Sequence, residues 1–201
     1  MPDSQPGSGQ AIDPLDQSRG EQYRLLAVLL SSAPSAALLR GIAALEGDRT
    51  AYGTAIAALA RAAAAATPAA VEREYFELFV GVGRGELLPY ASFYQTGFLN
   101  ERPLAEVRAD LSRLGLARAE ARFEPEDHLA LLLEVMADLA QGRIAAGPER
   151  QAAFFDRHLA PWAGQFFDDL TTAPSADFYK HVGRIGRLFI DIEARGFTLA
   201  A

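Results

Sequence analysis

A chain of 201 residues with a formal net charge of −7, a pI near 5.0 and 50% hydrophobic residues holds enough apolar material for one packed domain and repels nucleic-acid phosphates. It contains no cysteine, which excludes disulfides, zinc–thiolate sites and cysteine-ligated iron–sulfur clusters together. The early apolar run from Leu25 to Leu30 falls far short of the roughly 20 residues of a membrane span, and no basic stretch precedes an apolar core as in a secretory signal, so a soluble, cytoplasmic protein is expected.

The chain opens with polar residues rich in Gly, Ser and Pro. A disordered tail over 1–16 and a single domain over 17–201 are expected. Apolar residues then recur at helical spacing. YRLLAVLL predicts a first helix stopping near Pro34, and Leu38, Leu39, Ile42 and Leu45 predict a second over 35–46. Residues 50–66 are alanine-rich, with Tyr52, Ile56 and Leu59 on one side, and predict a third. Pro68 suits the first position of a fourth helix. That helix runs through VEREYFELFVGV and sets Tyr75 one turn from Phe79 and Phe76 one turn from Val80. GVGRGELLPY breaks the pattern as an irregular loop, and the short segment SFYQTGFL follows. Pro103 opens PLAEVRADLSRLG, which Gly115 ends. Pro125 opens the most apolar helix, LALLLEVMADLA, expected at the centre of the core. Gly147-Pro148 opens another with Phe154 and Phe155. Pro161 interrupts it and WAGQFFDDL resumes. Pro174 precedes a last helix, DFYKHVGRIGRLFIDIEARG, closed by Gly196. No segment alternates with period two over more than a few residues. The expectation is an all-α fold, one globular domain of roughly eight to ten helices.

Two motifs invite chemistry. The glycines of GVGRGELLP lack the Lys-Ser or Lys-Thr of a phosphate-binding loop, and their spacing differs from a dinucleotide fingerprint. They read as a loop needing close backbone approach. FEPEDH, residues 123–128, holds three carboxylates, a proline and one of only three histidines. Glu124 and His128 share a helix face, as two ligands of a metal site would. Asp127 beside His128 has the composition of an oriented base, although adjacent helical residues diverge by about 100°. A third reading is a helix start, with Glu124 at or just before the N-cap, Pro125 at N1, and Glu126 and Asp127 facing the positive end of the dipole; it leaves the histidine unexplained. A helical metal-dependent or acid–base enzyme using Glu124, Asp127 and His128 thus stays open at this point. Lys180, Arg184 and Arg187 form a basic stripe that reads as a solvated face.

Taken in order, EYFELFVGVGRGELLPYASFY, TGFLNERPLAEVRADLSRLG and FEPEDHLALLLEVMADL resemble the TorD/DmsD family of cytoplasmic chaperones for redox enzymes exported by the twin-arginine pathway. The shared pattern is Leu78-Phe79, then Pro89-Tyr90 and Ser92, then the box Glu124-Pro125-Glu126-Asp127-His128. The likeness covers about residues 20–195. PYASFYQTGFL with PLAEVRADL resembles the branch that serves molybdenum or tungsten oxidoreductases such as formate dehydrogenase. Where many relatives carry tryptophans, this chain has Tyr75, Gly83 and Tyr90.

The resemblance implies an all-helical, non-catalytic chaperone with no cofactor of its own, either a monomer or a domain-swapped dimer. Its partners would be a twin-arginine signal peptide and the apo form of a molybdopterin-type oxidoreductase, with no nucleic acid and no stable membrane association. Such a peptide pairs a basic segment with an apolar one, so its receptor needs carboxylates and an apolar surface. Tyr75, Leu78, Phe79, Pro89 and Tyr90 are the expected apolar surface. Glu124 and Asp127 are the expected carboxylates, with Asp127 pairing a signal arginine and His128 orienting that carboxylate or contacting the peptide backbone.

Overall fold

The computed structural model describes residues 13–116 and 124–200. The chain punctuates its first four helices with side-chain caps. Asp13 accepts from the Leu15 N–H at 2.8 Å and, with Pro14 in the first turn, starts α1 (Pro14–Ser31). Ser35 starts α2 (Ala36–Ala43), Thr50 starts α3 (Ala51–Ala65) and Thr67 starts α4 (Pro68–Tyr75). Each oxygen takes a backbone N–H that the first turn would otherwise leave unpaired. The expected tail is therefore shorter at its described end: Asp13 to Asp16 cap and open α1, while residues 1–12 lie outside the described residues.

The α4 backbone does not continue as an α-helix. Phe76–Val80 is a π-helical turn, closed by the Gly81 N–H on the Phe76 carbonyl at 2.7 Å. After an irregular loop come α5 (Ala91–Thr96), α6 (Arg102–Arg113), α7 (Leu129–Ala140), α8 (Pro148–His158), α9 (Ala163–Thr172) and α10 (Tyr179–Ala200). Several boundaries differ from expectation, and α2 ends at Ala43 rather than at 46, which leaves Leu45 outside it and exposed. The α7 helix begins at Leu129, not at Pro125, because the preceding residues are drawn into a junction described below. The α10 helix begins at Tyr179 and runs through Gly196 rather than stopping there.

The described residues make ten α-helices and no strand, one globular all-α domain. As expected, α7 is the central helix: nine of its twelve residues are buried. It packs along α1, while α9 packs against α10 and α3 lies between α2 and α10. The α9–α10 crossing is close because α10 presents Gly183 and Gly186 there. A Cβ on Gly186 would meet Phe167 Cε1 at 2.2 Å, and one on Gly183 would meet Thr171 Oγ1 at 2.6 Å. At the far side, Glu193 of α10 is buried and accepts from the Arg19 guanidinium at 2.8 Å and the Tyr23 hydroxyl at 2.7 Å, joining α10 to α1. Among the described residues no single helix is long and apolar enough to cross a membrane.

Candidate peptide-binding site

The site is built on the π turn. Widening the turn by one residue puts Leu78 wholly inside, 0% exposed, and leaves Phe76 and Val80 outside at 44% and 51%. Tyr75 and Phe79 are half-buried and stack at 5.0 Å; Tyr179 of α10 closes the group at 6.0 and 5.4 Å. Glu74 fixes Tyr179. Its buried carboxylate accepts from the N–H groups of Asp177, Phe178 and Tyr179 at 2.8, 3.0 and 2.6 Å, capping α10 from another helix. Sequence reasoning missed this residue, because its partners lie more than a hundred positions away.

The glycine loop folds back onto the π turn. The Leu87 N–H bonds the Leu78 carbonyl at 2.8 Å and the Glu86 N–H bonds that of Glu77 at 3.1 Å. A Cβ on Gly85 would sit 2.6 Å from the Leu78 carbonyl oxygen, so only glycine allows this approach. The loop then delivers Pro89, Tyr90 and Ser92 to the box at 124–128. Two backbone bonds form an antiparallel bridge: Ala91 N–H to the Asp127 carbonyl at 3.0 Å, and Leu129 N–H to the Pro89 carbonyl at 2.8 Å. Asp127 Oδ2 accepts from the Ser92 N–H at 2.8 Å. This caps α5, whose own N-cap residue, Tyr90, offers no side-chain bond.

Every polar residue of the described box has a separate task. Glu124 is exposed and accepts from the Tyr90 hydroxyl. Glu126 is buried and takes the Arg108 guanidinium of α6 at 2.8 Å. Asp127 caps α5. His128 is the N-cap of α7: its Nδ1 accepts from the Ala130 N–H at 3.1 Å, and its ring meets Tyr90 edge-on at 5.0 Å. The box stitches α5, α6 and α7 together, and this explains the histidine that a plain helix start could not. Burial, with help from the Glu124 charge, pushes the Tyr75 hydroxyl up; burial and the bond to Glu124 push the Tyr90 hydroxyl well up. Both therefore stay protonated as donors.

Of the expected site residues, Tyr75, Phe79, Tyr90, Glu124 and His128 reach solvent at least in part. Three do not. Leu78 and Pro89 are buried, the first as core and the second under the backbone bridge. Asp127 is 0% exposed, so in this conformation it cannot meet an arginine from outside. It is also spent on α5, and its Oδ1 and the Ser92 hydroxyl are buried without hydrogen-bond partners among the described residues. The three residues weighed for an enzyme are divided between Tyr90, the α5 cap and the α7 cap, rather than converging on one point.

Residues 45–168, which include the loop and the whole box, match the family model described as the nitrate reductase delta subunit. The chain belongs to the TorD/DmsD family. A chaperone named TorD from Vibrio cholerae serotype O1 is 31% identical over 126 residues, 58% of this chain and 57% of that protein. A Tat proofreading chaperone, DmsD, from Haemophilus influenzae is 29% identical over 112 residues, 55% of this chain and 53% of that one. The chain thus spans somewhat over half the length of these curated relatives. Both TorD and DmsD relatives are named as chaperones, not enzymes. The crystal structure of a redox enzyme maturation protein from Archaeoglobus fulgidus superposes with a TM-score of 0.61 at 20% identity, covering 92% of this chain and 99% of that one. At that identity the likeness speaks to the fold, and the all-helical TorD/DmsD architecture agrees with it.

Proposed function

We propose that this TorD/DmsD-family chain is a cytoplasmic chaperone that binds the twin-arginine signal peptide and apo form of a molybdenum or tungsten oxidoreductase. It holds the client until its molybdopterin-type cofactor is inserted and export can begin. A formate dehydrogenase is the client class favoured by the loop sequence. The observation that carries the reading is Glu124: an exposed carboxylate held by the Tyr90 hydroxyl, its charge reaching Tyr75 in the adjoining aromatic group.

A signal arginine would pair with Glu124 and stack on Tyr90, since a guanidinium suits both a carboxylate and an aromatic face. The apolar part of the peptide would lie over Phe79 and the exposed Phe76, Val80 and Val82. The net charge of −7 speeds encounter with a cationic segment. Glu124 takes over the role first expected of Asp127, which supports the site from beneath.

Calorimetric titration of the full chain with a synthetic twin-arginine signal peptide from a molybdopterin oxidoreductase tests the reading. Binding near ~1 μM or tighter, weakened about tenfold in Glu124→Gln, is the expected result. No binding, or binding indifferent to Glu124→Gln and Tyr90→Ala alike, would overturn it.

A further inference from the structure

The C-terminal end of α6 and one side of α8 line a cavity of about 400 Å³, with Asp110, Arg113, Leu114, Arg150, Phe154 and Arg157 among its walls. Three guanidiniums face one carboxylate there, a local excess of positive charge on a protein whose net charge is −7. The arrangement is held from within. His158, 2% exposed, directs Nε2 to Asp110 Oδ2 at 2.8 Å. Arg157 reaches the same oxygen at 2.8 Å, and Arg113 pairs with Oδ1. Partial burial pushes the Asp110 carboxyl up, but the bonds from His158, Arg113 and Arg157 outweigh it and hold the group below its ordinary value. Burial pushes His158 down more than Asp110 raises it, so the ring is neutral and donates to a carboxylate that stays charged.

Each arginine carries five N–H donors in a planar fork. Arg113 and Arg157 each bond Asp110 through one nitrogen, so most of both forks is unspent. Arg150, exposed in the first turn of α8, has no ion pair among the described residues. Asp110 thus anchors two forks, and the third has no ion pair among the described residues, with the apolar surfaces of Leu114 and Ala153 beside them. The cavity is much larger than a single phosphate or carboxylate group and within the ordinary range for a small organic ligand.

We infer that this cavity is a binding site for a small organic oxyanion, in which a phosphate or carboxylate group meets Arg113, Arg150 and Arg157 and an apolar body packs on Leu114 and Ala153. The cavity shares no lining residue with the Tyr90–Glu124 surface and does not depend on the role proposed for it.

Titration of the full chain with phenyl phosphate and with phthalate, each followed by calorimetry and thermal shift, tests the assignment and separates its two sources. Saturable binding of either probe supports it, provided that binding weakens about tenfold in Arg150→Gln and fades as salt is raised. The probe that binds more tightly names the chemistry. Arg150→Gln removes an exposed side chain with no ion pair among the described residues, so its unfolding midpoint should match the parent. Arg150→Lys should bind between the two, since it keeps the charge and loses the fork. No saturable binding of either probe, or binding unchanged in both Arg150→Gln and Arg157→Gln, overturns it.

Discussion

Asp127 shows how a residue can carry a motif without touching a ligand. Its backbone carbonyl and its side chain both bond the start of α5, across 35 positions of sequence in the case of Ser92. Removing the cap strands a buried N–H, so Asp127→Ala should cost about 1–3 kcal/mol in urea unfolding. Asp127→Asn keeps an acceptor and sheds a buried charge, and should cost clearly less. Equal stability of the alanine variant and the parent would mean that the cap contributes nothing. Glu74 makes the same kind of bond three times over, and Glu74→Ala should cost about 3 kcal/mol or more while loosening α10; an unchanged unfolding midpoint would refute this. At this scale the sequence was only half legible. The box stands out in the sequence as a cluster, and Tyr90 as an aromatic of the same motif. Which carboxylate faces water and which is spent inside depends on a contact between distant segments, and no local spacing encodes that.

Helices were far more legible, because each start carries its own chemistry. Ser35, Thr50 and Thr67 are side-chain caps, and Pro68, Pro103 and Pro148 sit in first turns. The central place of α7 followed from its apolar residues on all sides. Leu132, 0% exposed, should cost about 2–5 kcal/mol when cut to alanine, as read from denaturant unfolding. A near-zero change would displace α7 from the centre. Conversely, Gly186→Ala should destabilise by about 1–3 kcal/mol, since the added methyl meets the Phe167 ring before α9 and α10 reach their present separation. The same exchange at exposed Gly196, with open space around it, should be neutral or slightly stabilising. What sequence periodicity could not show is the π turn at 76–80. Its register answers to the loop laid over it and to the core that takes Leu78, both of which are tertiary.

Across the whole molecule, the chain closes on itself through charge as well as apolar packing. Arg19 and Glu193, 174 positions apart, join the first helix to the last, and His158 joins α8 to α6 through Asp110. His158 also makes stability depend on pH in a definite direction. Unfolded, its imidazole takes up a proton near pH ~6.5; folded, burial holds it neutral to lower pH. The unfolded state therefore binds more protons in the window just below that value, and stability is complete above it and declines as pH falls through it. His181, pushed down by burial and by Lys180, adds in the same direction. Urea midpoints should drop between about pH 8 and pH 5.5, and drop less in His158→Gln. Equal drops in both proteins would remove His158 from the account.

The bridge between the loop and the box also sets how recognition would be felt in time. The amides of Ala91, Ser92 and Leu129 are all bonded across that one junction, so their hydrogens exchange with solvent when the junction parts, and at a common rate if it parts as one unit. A peptide resting on Tyr90 and Glu124 from outside would slow all three together without touching any of them. Recognition at the surface would then be recorded as lengthened lifetimes at the meeting point of α5 and α7.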